Sequence, residues 1–367
     1  MAIYVERGTS TGMGTTATIT PDRTVEFGRA FVLIHSSSSD TNTQGAGRWR
    51  LSGHINGSGD LKINKGADAA TTGAVSYQIV SCDEQEFSVQ TEHISVSTTQ
   101  TSNTSTIDPV DTSRTFILGS LYMTSSPATS ATRAAFFTYE LTDENTVTVT
   151  RTNHDSEGAE VKPQVITWAD WTGVKVYHGT DTLTVSIDTP TAYPHGVSDI
   201  DPAYTWLCTS FRHSTSGLEQ CSVAAAITDG SNNYDEHNIY YERYDQVAAY
   251  SSVASWFLVR FPAQSFEIFH AAIADSGTAT TDTLACSGTM YPDGAIFDFT
   301  ASCNGAGTAF GRPAWRLNAF QTGGSGVLAR AGIIRGYGGQ ASTIRGTFID
   351  IGSFRPSNAA FWLGQIA

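Results

Sequence analysis

The chain has 367 residues, 15% of them charged, 40% hydrophobic and 11% aromatic, with a formal net charge of −14. That balance argues against free-standing nucleic-acid binding, which needs a basic face to neutralise phosphates, and against docking on an anionic membrane surface. No apolar run approaches the roughly 18 residues a membrane-spanning helix requires, and the opening Met1-Ala2-Ile3-Tyr4-Val5-Glu6-Arg7 lacks the basic-then-apolar order of a signal peptide.

Residues 1–27 are rich in Thr and Gly, and Thr15-Thr16-Ala17-Thr18-Ile19-Thr20 alone suggests a strand there. The expectation is an extended N-terminal arm, mobile in a free monomer and ordered by a neighbour in an assembly. Within it, Gly8-Thr9-Ser10-Thr11-Gly12-Met13-Gly14 lacks the Lys-Ser/Thr end of a phosphate loop and reads as a flexible stretch. From there on, short alternating or β-branched runs recur, such as Ala30 to Ile34, Thr146 to Thr150, Val174 to Tyr177, Leu183 to Ser186 and Phe266 to Phe269. Clusters of Ser, Thr, Asn, Asp and Gly separate them, and no long stretch keeps a helical period. The expected fold class is all-β, built of antiparallel sandwiches.

The strands repeat. Aromatic anchors fall at Phe31, Phe116, Trp206 and Phe297, spaced 85, 90 and 91 residues apart. A second landmark, an apolar residue, a spacer and a base, recurs as Ile63-Asn64-Lys65, Val149-Thr150-Arg151, Tyr241-Glu242-Arg243 and Leu328-Ala329-Arg330. A third is a buried-looking strand followed closely by another: Val75 to Val80 then Phe87 to Gln90, Val161 to Trp168 then Val174 to Gly179, and Trp256 to Phe261 then Phe266 to His270. The fourth copy, Ile344 to Ile351, has no clear successor. Landmarks advancing together mark tandem modules. The expected division is an arm over 1–27 and four β-sandwich modules in a row over 28–107, 108–190, 191–288 and 289–367, the last divergent, forming an elongated chain.

Candidate chemistry is sparse. The five cysteines, at 82, 208, 221, 286 and 303, have no zinc spacing. Buried free thiols are one reading. The other is two bridges, Cys208–Cys221 and Cys286–Cys303, with Cys82 left near the surface for an intersubunit link. The nine His, at 35, 54, 93, 154, 178, 195, 213, 237 and 270, are dispersed, and His178 and His270 close comparable strands, which reads as structural. Lys65, Arg151, Arg243 and Arg330 read as strand-end ion pairs or edge-protecting charges. Asp229-Gly230-Ser231-Asn232-Asn233-Tyr234-Asp235 alternates oxygens as a calcium loop does, but Tyr234 replaces the turn glycine and Tyr240 the closing acid, so it reads as an inter-strand turn. No catalytic, cofactor-binding or metal residue is assigned, and no cofactor is expected.

Val75-Ser76-Tyr77-Gln78-Ile79-Val80 with Phe87-Ser88-Val89-Gln90, and Pro163-Gln164-Val165-Ile166 with Val174-Lys175-Val176-Tyr177-His178-Gly179, resemble a phrase of tandem β-sandwich units in virion proteins of tailed bacteriophages. The likeness is clear in the first two modules and fades after them. It implies a non-enzymatic capsid, collar or tail component, made in the host cytoplasm and released in the virion by lysis, with other virion proteins as partners, a homo-oligomeric state and no contact with nucleic acid or membrane. A fibre or spike that binds a host glycan is the alternative, with Trp168, Trp171, Trp256 and Tyr240-Tyr241 as the aromatics to stack on sugar. Neither a coiled coil nor a collagen-like stem accompanies them. A depolymerase is disfavoured, because no long regular β-helix rungs are present.

Overall fold

The computed structural model describes residues 3–11, 14–37, 50–66, 74–124, 132–183, 187, 189–214, 223–228, 233, 235–243, 251–263, 266–275, 281–288, 290, 294–303, 315–322, 328–335 and 342–350. It is all-β, and its helical content among these residues is short 3-10 turns, such as Thr112–Arg114 and Pro202–Tyr204. The strands form four consecutive sets. Module 1 contains β1 (Ile3–Thr11), β2 (Thr16–Ile19), β3 (Ala30–Ser37), β4 (Leu51–Ile55), β5 (Leu61–Lys65) and β6 (Ala74–Cys82). Module 2 contains β7 (Phe87–Thr91), the short β8 (Ile94–Val96), β9 (Ser102–Thr106), β10 (Thr115–Met123), β11 (Thr138–Asp143), β12 (Thr146–Thr150) and β13 (Ala159–Trp168). Module 3 contains β14 (Lys175–Leu183), β15 (Thr191–Pro194), β16 (Thr205–His213), β17 (Ala224–Ala226), β18 (Asn238–Glu242) and β19 (Ser252–Arg260). Module 4 contains β20 (Glu267–Asp275), β21 (Thr281–Ala285), β22 (Ala295–Cys303), β23 (Trp315–Thr322), β24 (Leu328–Arg335) and β25 (Ser342–Asp350).

Each set makes the same two antiparallel sheets. The first, sixth and third long strands form an inner sheet (β1-β6-β3, β7-β13-β10, β14-β19-β16, β20-β25-β22). The second, fifth and fourth form an outer sheet (β2-β5-β4, β9-β12-β11, β15-β18-β17, β21-β24-β23). The repeat therefore begins two strands earlier than the sequence landmarks suggest. The expected arm is not an arm: Ile3 to Thr11 pairs with Cys82 to Ala74, and Thr16 to Ile19 with Asn64 to Leu61. Gly8, expected in a flexible stretch, lies mid-strand, where Tyr77 fills the space a Cβ would take. The closely following strands at Phe87, Val174 and Phe266 open the next module instead of closing their own, so the boundaries expected near 108, 190 and 289 fall inside modules 2, 3 and 4.

Nor do the modules lie in a row. The fourth strand of each outer sheet packs on the third and sixth strands of the next module: β4 on β10 and β13, β11 on β16 and β19, β17 on β22 and β25. The series closes with β23 on β3 and β6. The four sandwiches form a ring with pseudo-fourfold symmetry, and the inner sheets meet at its axis.

The inner sheets are consequently buried on both faces, and β6 reads as an unbroken buried run from Val75 to Cys82. Alternation along the third strand decides which core a side chain joins. Val32, Leu207 and Phe297 point into the cores of modules 1, 3 and 4. Phe31, Phe116, Trp206 and Ile296 point to the axis and share one core. Register shows that Ile296, not the expected Phe297, is the counterpart of Phe31: Phe31 pairs with Val80 and Ile296 with Ile349, two matching sites. The first and sixth strands add Val89, Val176 and Ile268, and Val80, Ile166, Val259 and Ile349, to the same axial core. Its centre is aromatic. Phe31 and Phe116 meet edge to face at 6.2 Å between centroids, and Trp206 stands 5.3 Å from Phe116 and 6.5 Å from Phe31.

Candidate functional site

Moving along the axis from the aromatic plug, the next inward positions of the third strands are Leu33, Leu118, Cys208 and Asp298, followed by His35, Ser120, Ser210 and Thr300. The core turns polar here, and two adjoining cavities of about 130 Å³ and 280 Å³ open between the four strands. The larger is walled by Phe136, Phe211 and Phe299 with Arg50 and His35 among them. Arg50 lies over the Phe136 ring at 4.5 Å.

Three of the four hydroxyl-level residues serve the ring itself. Ser120 Oγ accepts from the Gly53 N–H at 3.0 Å, Ser210 Oγ from the Tyr139 N–H at 3.1 Å, and Thr300 Oγ1 from the Ala225 N–H at 2.8 Å. Each acceptor reaches the fourth strand of the preceding module, where an edge N–H would otherwise lack a partner. The fourth position is His35, at the contact between modules 4 and 1. Its ring stacks on Phe299 at 4.4 Å, and its Nε2 lies 3.5 Å from Asp298 Oδ1. Asp298 Oδ2 also accepts from Trp206 Nε1 at 3.2 Å.

A second device grips neighbouring inner sheets. Gln164 Oε1 accepts from the Val32 N–H at 2.8 Å while its Nε2 donates to the Val32 carbonyl at 2.9 Å. Gln78, at the matching site of β6, accepts from the Phe297 N–H at 2.9 Å and donates to the Phe297 carbonyl at 2.5 Å. Gln78 and Gln164 each lie in one of the two phrases quoted for the resemblance above.

The residues singled out in the sequence fare unevenly. Cys208 and Cys286 are free thiols, Cys208 buried as the first reading has it, which removes the alternative of two bridges. Cys208 is buried at the axis, and burial, with Asp298 adding to it, pushes its thiol well above the ordinary range. Cys221 and the Cys303 side chain lie outside the described residues. Cys82 is 5% exposed rather than at the surface; its Sγ donates to the Phe87 carbonyl, and burial raises its pKa to about 11. An intersubunit bridge through it is not available in this fold. Asp235 does turn a hairpin, accepting from Tyr240 Oη at 2.6 Å and from the His237 N–H at 2.8 Å. Residues 229–232 and 234 of that segment lie outside the described residues.

Two of the repeated bases, Arg151 and Arg243, are buried and are not edge charges; the Arg330 side chain lies outside the described residues. Arg151 is 1% exposed and donates to the carbonyls of Ser97, Gln100 and Ala134, closing loops of its module; burial lowers its pKa to about 10. Arg243 is buried likewise and donates to Ser252 Oγ. The fourth landmark was misplaced: Trp315 pairs with Arg335 as Leu51 pairs with Lys65, so Arg335 and not Arg330 occupies the equivalent site. His178 and His270 are equivalent, facing Phe257 and Thr347 at one register, but on the first strands of modules 3 and 4. Trp168, Trp256 and Tyr241 belong to cores, whereas Trp171 is 53% exposed.

Sequence reasoning missed the axial residues. Their signal was the position four residues beyond each anchor (His35, Ser120, Ser210), which becomes regular only once Ile296 replaces Phe297 in the series. Among the described residues, no group of three or more His, Cys, Asp or Glu is gathered to hold a metal. The chain matches no family model, no curated protein and no solved structure.

Proposed function

We propose that the protein is a non-enzymatic structural component of a tailed-phage virion, docking through protein–protein contacts on a capsid, collar or tail lattice. The observation that carries this reading is the fourfold repetition of the outer sheets. Each turns an edge strand outward, Thr16–Ile19, Ser102–Thr106, Thr191–Pro194 and Thr281–Ala285, each beginning with Thr or Ser and exposed at intervals along its length. Four similar edges around one axis suit multivalent docking, in which individually weak contacts sum to firm attachment.

The axial chemistry points the same way. A nucleophile needs a base and an orienting group, but the Ser120, Ser210 and Thr300 hydroxyls are committed to backbone partners and the Cys208 thiol is held neutral by burial. Other virion proteins are the proposed partners, within a homo-oligomeric arrangement on the particle. The fibre or spike reading, with a host glycan as ligand, retains one aromatic in its favour, the exposed Trp171 ring.

Particles assembled without this chain test the proposal: they should fail to form or lose integrity under heat or low salt. Intact particles that no longer adsorb to hosts would transfer the assignment to the fibre reading. Release of sugar from a host polysaccharide by the purified chain would overturn both.

A further inference from the structure

The histidines that look dispersed along the sequence are distributed in space with one at each interface of the ring. His54, on β4 of module 1, lies on the strand that packs on β10 and β13 of module 2. His213 ends β16 of module 3 and meets the Phe136 ring of module 2 edge to face at 4.9 Å. His270, on β20 of module 4, has its Nε2 3.0 Å from the Pro202 carbonyl of module 3. His35 joins module 1 to Asp298 and Phe299 of module 4.

At the first two sites a ring nitrogen, His54 Nδ1 or His213 Nε2, is buried with no hydrogen-bond partner, whereas the His270 nitrogens face the Pro202 carbonyl and Thr347 Oγ1. Around His54 the charged neighbours are Lys62 on the adjoining strand and Lys162 and His93 from module 2; the nearby Glu160 is taken by His93 and Ser95. His213 is fully buried, with Nδ1 2.8 Å from Ser252 Oγ, and faces Arg243 of its own module and Arg50 of module 1. Arg133, which donates to the carbonyl of the next residue, Ser214, is already paired with Asp155. His270 sits in a row with Thr347 and Asp298, and Asp298 is engaged by His35 and Trp206. Its Nδ1 is 3.2 Å from Thr347 Oγ1. Burial, reinforced by these cations at His54 and His213, lowers all three imidazoles, His54 and His270 to about 4.

We infer that the ring is an acid-opened closure: protons taken up by His54, His213 and His270 part the three interfaces between chain-adjacent modules while the sandwiches themselves stay folded. Among the described residues no histidine packs in the separate cores of modules 1 and 4. In module 3 the buried His195 stands 6.4 Å from Trp256, but the Asp235 and Asp181 carboxylates near it balance a proton, so protonation strikes first between modules. At the fourth interface His35 Nε2 lies 3.5 Å from Asp298 Oδ1. The sign follows from linkage. A histidine whose pKa is lower folded than unfolded favours the closed ring above the unfolded value of about 6.5, and that support is lost as pH falls through the folded value. The response follows from the ring alone and does not depend on where the protein docks.

The full chain, followed from pH 8 to 3.5 by small-angle scattering, limited proteolysis and far-ultraviolet circular dichroism, tests the inference. Expected are growth in radius and new cleavage at the module linkers between about pH 6.5 and 4, with the β signal retained. The combined variant His54→Gln, His213→Gln, His270→Gln should open at least about one pH unit lower. An unchanged radius down to pH 4, loss of β signal in the same step, or an unshifted combined variant would each overturn the inference. If that variant fails to fold, nuclear magnetic resonance titration of the wild-type imidazoles decides. Three that stay neutral well below pH 6 support acid opening, and titration of all nine near 6.5 refutes it.

Discussion

The interface between modules 1 and 2 joins consecutive stretches of chain, whereas that between modules 4 and 1 joins distant ones, and Gln164 on Val32 and Gln78 on Phe297 make the same paired hydrogen bonds at matching positions in both. Chain connection therefore does not shape the contact. The side chains of the inner sheet do, and they close the ring as they join its neighbours. The two interfaces differ one level along the axis, where Ser120 offers a hydroxyl to Gly53 and His35 instead stacks on Phe299 beside Asp298. Closure without a covalent linker thus combines the shared glutamine with an aromatic and ionic contact found nowhere else at that level.

The largest effect is expected where both interfaces converge. Trp206→Ala removes the ring that touches Phe31 of module 1 and Phe116 of module 2, and should cost about 3–5 kcal/mol in denaturant unfolding. A loss below 1 kcal/mol would mean that the axial core does not hold the ring.

Next come the glutamines. Gln78→Leu and Gln164→Leu each strand a buried N–H and carbonyl, at Phe297 and Val32 respectively, for about 1–3 kcal/mol. Hydrogen exchange should separate the two: without a linker to hold the modules together, Phe297 should exchange faster in Gln78→Leu than Val32 does in Gln164→Leu. Equal rates would show that the linker contributes nothing to holding modules 1 and 2 together.

Ser210→Ala and Thr300→Val each delete one hydroxyl contact, worth about 0.5–1.5 kcal/mol, and should speed exchange at the Tyr139 and Ala225 amides specifically. His35→Ser gives the closing interface the residue type of its counterparts. It should change stability by less than about 1 kcal/mol, since a 3.5 Å polar contact and a ring stack are exchanged for one hydroxyl contact. A larger loss, read from the unfolding midpoint, would make His35 the main element of closure.

Much of the fold was legible. Alternating runs such as Thr146 to Thr150 are half-buried strands, and the anchors at 31, 116 and 206 are true equivalents. The site was not legible, because both faces of the inner sheets are buried. In Val75 to Cys82 no polar alternation distinguishes the axis from the module core, so an anchor one residue out of register, Phe297, was as hydrophobic as the correct Ile296. Arg151 misled for a related reason. A base at a strand end looks exposed, and only the loops that fold over it supply the carbonyls that bury it.

The all-β class and the repetition of a module were readable from the sequence, since both follow from local periodicity. Tertiary structure alone decided where each module begins, that Ile3 to Ile19 belongs to the first, and that the last closes on the first. Those facts rest on strands and side chains that meet across dozens to hundreds of residues, Ile3 with Cys82 and Gln78 with Phe297 among them. A local pattern says that a residue is buried, but what it is buried against is set only when the sheets have packed.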